Sequence, residues 1–147
     1  MANYYMIITD KYDYECDIKN EFSCAGFPAR NEKSAKKMKK GDKIIFYVTK
    51  KSVFMAAVEV TGEYFYSQKQ IWIDPYDLWC HRVKTTPIVH IENVKDGIYI
   101  KDIWDNLDFI KNKGKWGSQV QGSFRRISEH DYNIILEHIE ERGKKWI

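Results

Sequence analysis

Cysteine is scarce in this chain. Cys16, Cys24 and Cys80 are all there are, and no two of them form a C-x-x-C pair. An odd count without that spacing excludes a disulfide framework and fits buried or half-buried thiols in a reducing compartment. His81 stands beside Cys80, but His90, His130 and His138 make no spaced ligand set with it, so neither a metal nor any other cofactor is expected. Long apolar runs are missing as well. The longest, Ile44 to Val48 and Val53 to Val58, fall far short of the roughly 20 residues that cross a bilayer. The opening MANYYMIITD has no basic n-region and meets Asp10 after a five-residue apolar run, which reads as a first strand and not a signal peptide. The expectation is a cytoplasmic protein with no membrane partner.

Enzyme signatures are absent too. The chain contains no G-x-G-x-x-G, no G-x-x-x-x-G-K-[ST], no H-E-x-x-H and no G-x-S-x-G. Glu140 and Glu141 fall on the solvent side of a C-terminal helix, where solubility explains them. His81 and His90 could act as bases, but no readable pattern sets a nucleophile beside either. Catalysis is not expected, and no catalytic residue is assigned.

What is present is an ordinary globular composition over 147 residues, 44% apolar, with an unusually high aromatic share of 15%. A chain of this length buries about 70% of its unfolded surface, enough for one core, and no repeat, linker or low-complexity tract divides it. One domain spanning residues 1–147 is expected. The net charge of +3 decides little, but its distribution is uneven. From Arg30 to Lys51 nine basic residues face only Glu32 and Asp42, and from Lys111 to Arg126 five stand with no acid. Such clusters are the footprint of a polyanion binder, although a solvated lysine face on a helix would look the same.

Along the chain, Tyr4 to Thr9 reads as a buried strand, followed by a polar stretch without a clear element. Asn31 as N-cap, Glu32 in the first turn and Gly41 as a stop predict a helix over Asn31 to Lys40, with Ala35 and Met38 facing the core. KIIFYV and VFMAAVEV form a hairpin through Thr49 to Ser52, and Thr61-Gly62 predicts a turn before Tyr64-Phe65-Tyr66. A loop holding Trp72, Tyr76 and Trp79 around Pro75 leads into a strand over Arg82 to Ile91. Pro87 marks that strand as an edge or a bulge. A short helix near Ile103 to Leu107, a loop over GKWGSQVQGS and a strand over Phe124 to Ile127 follow. Ser128 with Asp131 three residues on predicts a capping box, and Ile127 a staple on Tyr132. The last helix then buries Tyr132, Ile135, Leu136 and Ile139 and ends at Arg142-Gly143.

Aromatic residues interleave with the basic segments, the composition that stacks single-stranded or extruded bases while cations hold the backbone. The bland alternative is that Trp72 and Trp79 fold back to cover the sheet.

The segments CAGFPARN, KKMKKGDKIIFYV, VFMAAVEVTGEYFY, WIDPYDLWCHRVK and FIKNKGKWGSQVQGSFRRISEHDY, in that order, resemble the EVE domain over nearly the whole length. The resemblance implies an α+β, PUA-like fold: a partly open mixed β-barrel of about five or six strands with flanking helices. EVE domains are in turn similar to YTH domains, which hold a methylated adenine in an aromatic cage. Carried over by position, Trp72 stands where a cage wall lies, before the RVK strand. The stretch from Cys24 to Pro28 resembles a family segment that often begins with Trp. Here that position is Cys24, and Phe27 or Phe22 is the available substitute wall. Phe46 and Tyr47 would floor the pocket, with Tyr76 and Trp79 beside it. Gln121, Ser123 and Arg125 resemble the segment that approaches the nucleic-acid backbone, joined by Arg30, Asn31, Arg82, Lys115 and Arg126. The implied function is binding of RNA or modified DNA, with a base turned into the pocket. The rivals are a small RNA-acting enzyme or enzyme subunit using the same pocket, and a peptide-binding module.

Overall fold

The computed structural model describes residues 1–145. Strands β1 (Tyr4–Thr9) and β3 (Lys43–Val48) lie side by side in parallel, Tyr4 opposite Lys43 and Thr9 opposite Val48. Both are near-continuous buried apolar runs, as strands covered on two faces must be. The remaining pairings are antiparallel: β3 with β4 (Val53–Tyr66), β4 with β5 (His81–His90), β5 with β2 (Cys24–Phe27) and β1 with β7 (Phe124–Ile127). The order β2-β5-β4-β3-β1-β7 curls into a half-barrel of six strands, with β6 (Ile98–Tyr99) added to β4 and β8 (Lys144–Lys145) to β5.

The polar stretch after β1 folds into α1 (Lys11–Lys19), an element the sequence pattern did not announce. Asp10 caps it, accepting from the Asp13 amide at 2.8 Å, and Lys19 closes the last turn. Its buried face is Asp13, Tyr14, Cys16 and Asp17. Two carboxyls in that face erase the apolar periodicity by which helices are read.

The helix expected over Asn31 to Lys40 is shorter. A 3-10 turn, Ala29–Asn31, precedes α2 (Glu32–Lys37), which stops at Met38 in extended conformation. Asn31 does not cap it, because its side chain instead accepts from the Ser123 hydroxyl at 2.6 Å. Ala35 and Met38 face the core as anticipated.

The expected turn at Thr61-Gly62 is not made. Strand β4 runs on through it for 14 residues, and a register shift between Val60 and Tyr64 absorbs the bend. Gly62 permits this, since a Cβ there would sit 2.7 Å from Lys84 Cβ on β5. Pro87 lies at a second register shift, beyond the reach of β2, so the bulge it implied is present.

The helix near Ile103 is split into α3 (Ile100–Ile103) and a 3-10 turn, Trp104–Asn106, and much of the expected loop is 3-10 as well, Lys113–Val120. Helix α4 (Glu129–Arg142) packs on the barrel through Tyr132, Ile135 and Ile139, each of which stabilises by about 1.5–3 kcal/mol when fully buried. Leu136 is only partly buried. Ser128 makes its half of the capping box at 3.1 Å, but the Asp131 carboxylate accepts instead from the Asp108 and Phe109 amides at 2.8 and 3.0 Å.

Candidate functional site

Where β1 and β3 end side by side, a cavity of about 250 Å³ opens to solvent. Ile7 and Ile8 of β1 and Phe46 of β3 form its apolar floor. Gly26 of β2 and the indoles of Trp72 and Trp79, both from the loop over residues 67–80, form one side. Asp13 and Asp17 of α1 form another, and Gly122 and Ser123 close the rim before β7.

The loop reaches the barrel because buried polar groups fasten it. Trp72 is 5% exposed and donates its indole N–H to Asp17 Oδ1 at 2.8 Å. Its ring lies so close to β2 that a Cβ at position 26 would meet it at 2.6 Å, which leaves only glycine there. Arg82, 1% exposed, sits 5.2 Å from the Trp72 ring and donates to the carbonyls of Lys69, Leu78 and Trp79. A guanidinium presents its donors in a fixed fork, so one side chain can fix two stretches of the same loop. Trp79 takes a left-handed φ of 53°, its amide bonded to Asp77 and its indole N–H to Asp74 Oδ2 at 3.1 Å. The two indoles are therefore oriented before any ligand arrives.

The charge of the cavity is one-sided. Asp10, Asp13, Asp17 and Asp74 line it, and no Lys, Arg or His does so among the described residues. Burial, with Asp10 and Asp74 nearby, pushes the Asp13 carboxyl up to about 6. Burial also holds Asp17 well above the ordinary carboxylate range, opposed by its hydrogen bond from Trp72. Asp13 is 9% exposed, and its Oδ1 is closed to solvent without a hydrogen-bond partner.

Of the residues named from sequence as pocket walls, Phe46, Trp72 and Trp79 line the cavity. Tyr47 does not: strand alternation turns it to the other face of β3, against Phe54 at 5.3 Å. Phe27 is core, packed edge-on against Phe124, and Cys24 is buried with Cys16 beside Trp72. Tyr76 stands 95% exposed at the loop tip. Of the residues named as backbone contacts, Ser123 lines the rim and holds Asn31. Arg30, Lys115, Gln121 and Arg126 are exposed. Arg82 is engaged by loop carbonyls and buried away from any phosphate in solution. Arg125 is half-buried over Phe109 and tied to Gln119 through its main-chain and side-chain oxygens.

The aspartates were missed from sequence. Their signal was there: positions 10, 13 and 17 share the spacing that puts three side chains on one helical face.

A family model for the EVE domain matches residues 3–138. The chain belongs to the EVE domain family. A UPF0310 protein of Pyrococcus abyssi is 32% identical to this EVE domain over 144 residues, spanning 90% of this chain and 96% of its own. Among solved structures, the YTH domain of Zygosaccharomyces rouxii MRB1 in complex with N6-methyladenosine RNA superposes with a TM-score of 0.63 at 14% identity. That alignment covers 95% of this EVE domain and 87% of the YTH domain. Human THYN1, in complex with 5-methylcytosine-containing DNA, gives 0.58 at 13% identity, covering 95% and 98%. At those identities the likeness establishes the PUA-like fold.

Proposed function

We propose that this EVE domain is a nucleic-acid-binding module that takes one base, turned out of a single or locally melted strand, into the cavity between Trp79 and Phe46. The observation that carries this reading is a pair of indoles fixed beside an apolar floor, in a fold whose relatives were solved with modified RNA and DNA. Extruding a base costs a few kcal/mol, and stacking returns about 1–3 kcal/mol per aromatic contact. That balance is close, so phosphate contacts supply much of the affinity. Lys33, Lys36, Lys37, Lys39 and Lys40 on and after α2 are exposed for that role, with Arg30 and Lys115. A methyl group buried on the base adds about 0.8 kcal/mol, a preference rather than an absolute selection.

The test is a titration of fluorescent single-stranded oligonucleotides at two salt concentrations. Binding that weakens steeply with salt, and weakens again in Trp79→Ala, supports the reading. Binding absent at low salt, or indifferent to salt, contradicts it.

A second reading, an enzyme acting on nucleic acid through the same cavity, is favoured by one observation: a buried Asp13 raised to about 6 is suited to proton transfer near neutral pH. Incubation with RNA, DNA and nucleotides followed by mass spectrometry separates the two, since a binding module returns its inputs unaltered.

A further inference from the structure

We infer that the base this cavity selects is positively charged: a nucleobase methylated on a ring nitrogen, such as N1-methyladenine, N3-methylcytosine or N7-methylguanine. The inference rests on the base-binding reading above and concerns which base the site prefers.

Ionised carboxylates only accept hydrogen bonds, and four aspartates line the cavity, of which Asp17 is held toward its neutral form by burial. Asp17 accepts from the Trp72 indole, Asp74 from the Trp79 indole and the Tyr76 amide, and Asp10 from the Asp13 amide, but no cationic side chain lines the cavity among the described residues. Asp13 carries the imbalance most clearly, enclosed with an unpartnered Oδ1 and raised by burial, Asp10 and Asp74 against the opposing Ile73 main chain. A charge held where it costs folding free energy is the kind of feature that a ligand of opposite charge offsets. A small metal ion is a poor fit to this arrangement. Among the described residues, the acidic and histidine side chains whose ligand atoms all lie within 4.8 Å of one another are Asp108, His130 and Asp131, outside the cavity. The cavity aspartates are too dispersed to converge on one ion, and indoles are not metal ligands.

A flat, delocalised cation suits them better. Methylation of a ring nitrogen spreads positive charge over the ring and replaces an acceptor at the base edge with a methyl group. The charged ring then meets the carboxylates at its edge and an indole at its face, where tryptophan is the best of the aromatic partners for a cation. A neutral methylated base gains the stacking and the buried methyl but not the charge term.

The basic surface works against such a ligand elsewhere on the protein. A cationic base lowers the net charge of its strand, so non-specific contacts with the lysines weaken slightly. A preference for the charged strand must therefore arise at the cavity.

The experiment compares three short single-stranded RNAs, identical except for a central adenine, N6-methyladenine or N1-methyladenine, by fluorescence anisotropy at neutral pH. The N1-methyladenine strand is expected to bind at least about tenfold more tightly than the N6-methyladenine strand. In Asp13→Asn, and separately in Asp74→Asn, that ratio is expected to fall toward one. Asp74→Asn keeps the question open to test if Asp13→Asn does not fold. Equal binding of both methylated strands, or preference for the neutral one, overturns this inference while leaving base binding intact. Failure of all three strands to bind removes both. A trimethyllysine peptide that displaces the N1-methyladenine strand at lower concentration than the free nucleoside overturns it in favour of a peptide site.

Discussion

The indole N–H of Trp72 meets Asp17 Oδ1 at 2.8 Å, joining the loop between β4 and β5 to a fully enclosed carboxyl on α1. The same tryptophan is buried and also lines the cavity. Trp72→Ala is expected to cost about 3–5 kcal/mol of stability, as deletion of a buried large aromatic usually does. Asp17→Ala, which strands the indole donor, is expected to cost about 1–3 kcal/mol. Asp17→Asn keeps an acceptor for the indole in a site where burial already disfavours the carboxylate, and is expected to melt at or above the wild-type temperature at neutral pH. Thermal melts of the three variants check this.

Asp13 makes stability depend on pH in a defined window. Its carboxyl is raised from the ordinary 3.8 to about 6, so the folded state binds its proton more tightly than the unfolded chain. The stabilisation is present in full below about pH 4 and is lost as pH rises through 6. Asp13→Asn is expected to flatten this slope and to stabilise the protein at pH 7.5 by about 1–3 kcal/mol. Denaturant melts across that range decide it. Binding of a cationic base should show the opposite trend, weakening as pH falls through about 6 and Asp13, beside Asp10, Asp17 and Asp74, takes up its proton.

Arg82 separates a clamp from a phosphate contact. Because its guanidinium is buried against loop carbonyls, Arg82→Lys is expected to weaken oligonucleotide binding without changing the slope of affinity against salt. It is also expected to raise proteolysis within residues 67–80. A reduced slope would show that Arg82 reaches the backbone after all.

The exposed lysines should behave in the reverse way. Lys36 pairs with Glu32 at 2.7 Å, but both groups face water, so the pair contributes little to folding. Lys36→Ala combined with Lys37→Ala is expected to leave the melting temperature within a degree or two and to weaken modified and unmodified strands alike. The salt slope should fall by roughly one for each phosphate that a lysine no longer neutralises. Affinities at several salt concentrations give the answer.

These residues also show what the sequence made legible. The β3–β4 hairpin and α4 were readable because each buries an apolar run or stripe whose period names its element. α1 was not, because its buried face contains Asp13 and Asp17, and polar residues count against burial in any periodicity argument. Arg82 was named as a phosphate ligand alongside the family segment, and its burial against the carbonyls of Lys69, Leu78 and Trp79 has no local sequence signal. Cys24 and Phe27 were named by family position, but strand β2 turns them into the core while Gly26 between them lets Trp72 approach. The cavity is built from several separate segments of chain, a convergence that local patterns do not encode.

Whether a base enters that cavity is tested most directly by a nitrogen-edited NMR titration with a methylated single-stranded oligonucleotide. Entry of the base predicts that the indole N–H signals of Trp72 and Trp79 and the Gly26 amide shift together and saturate at one equivalent. Shifts confined to the amides of residues 33–40 and 111–115, with those three signals unmoved, would contradict it.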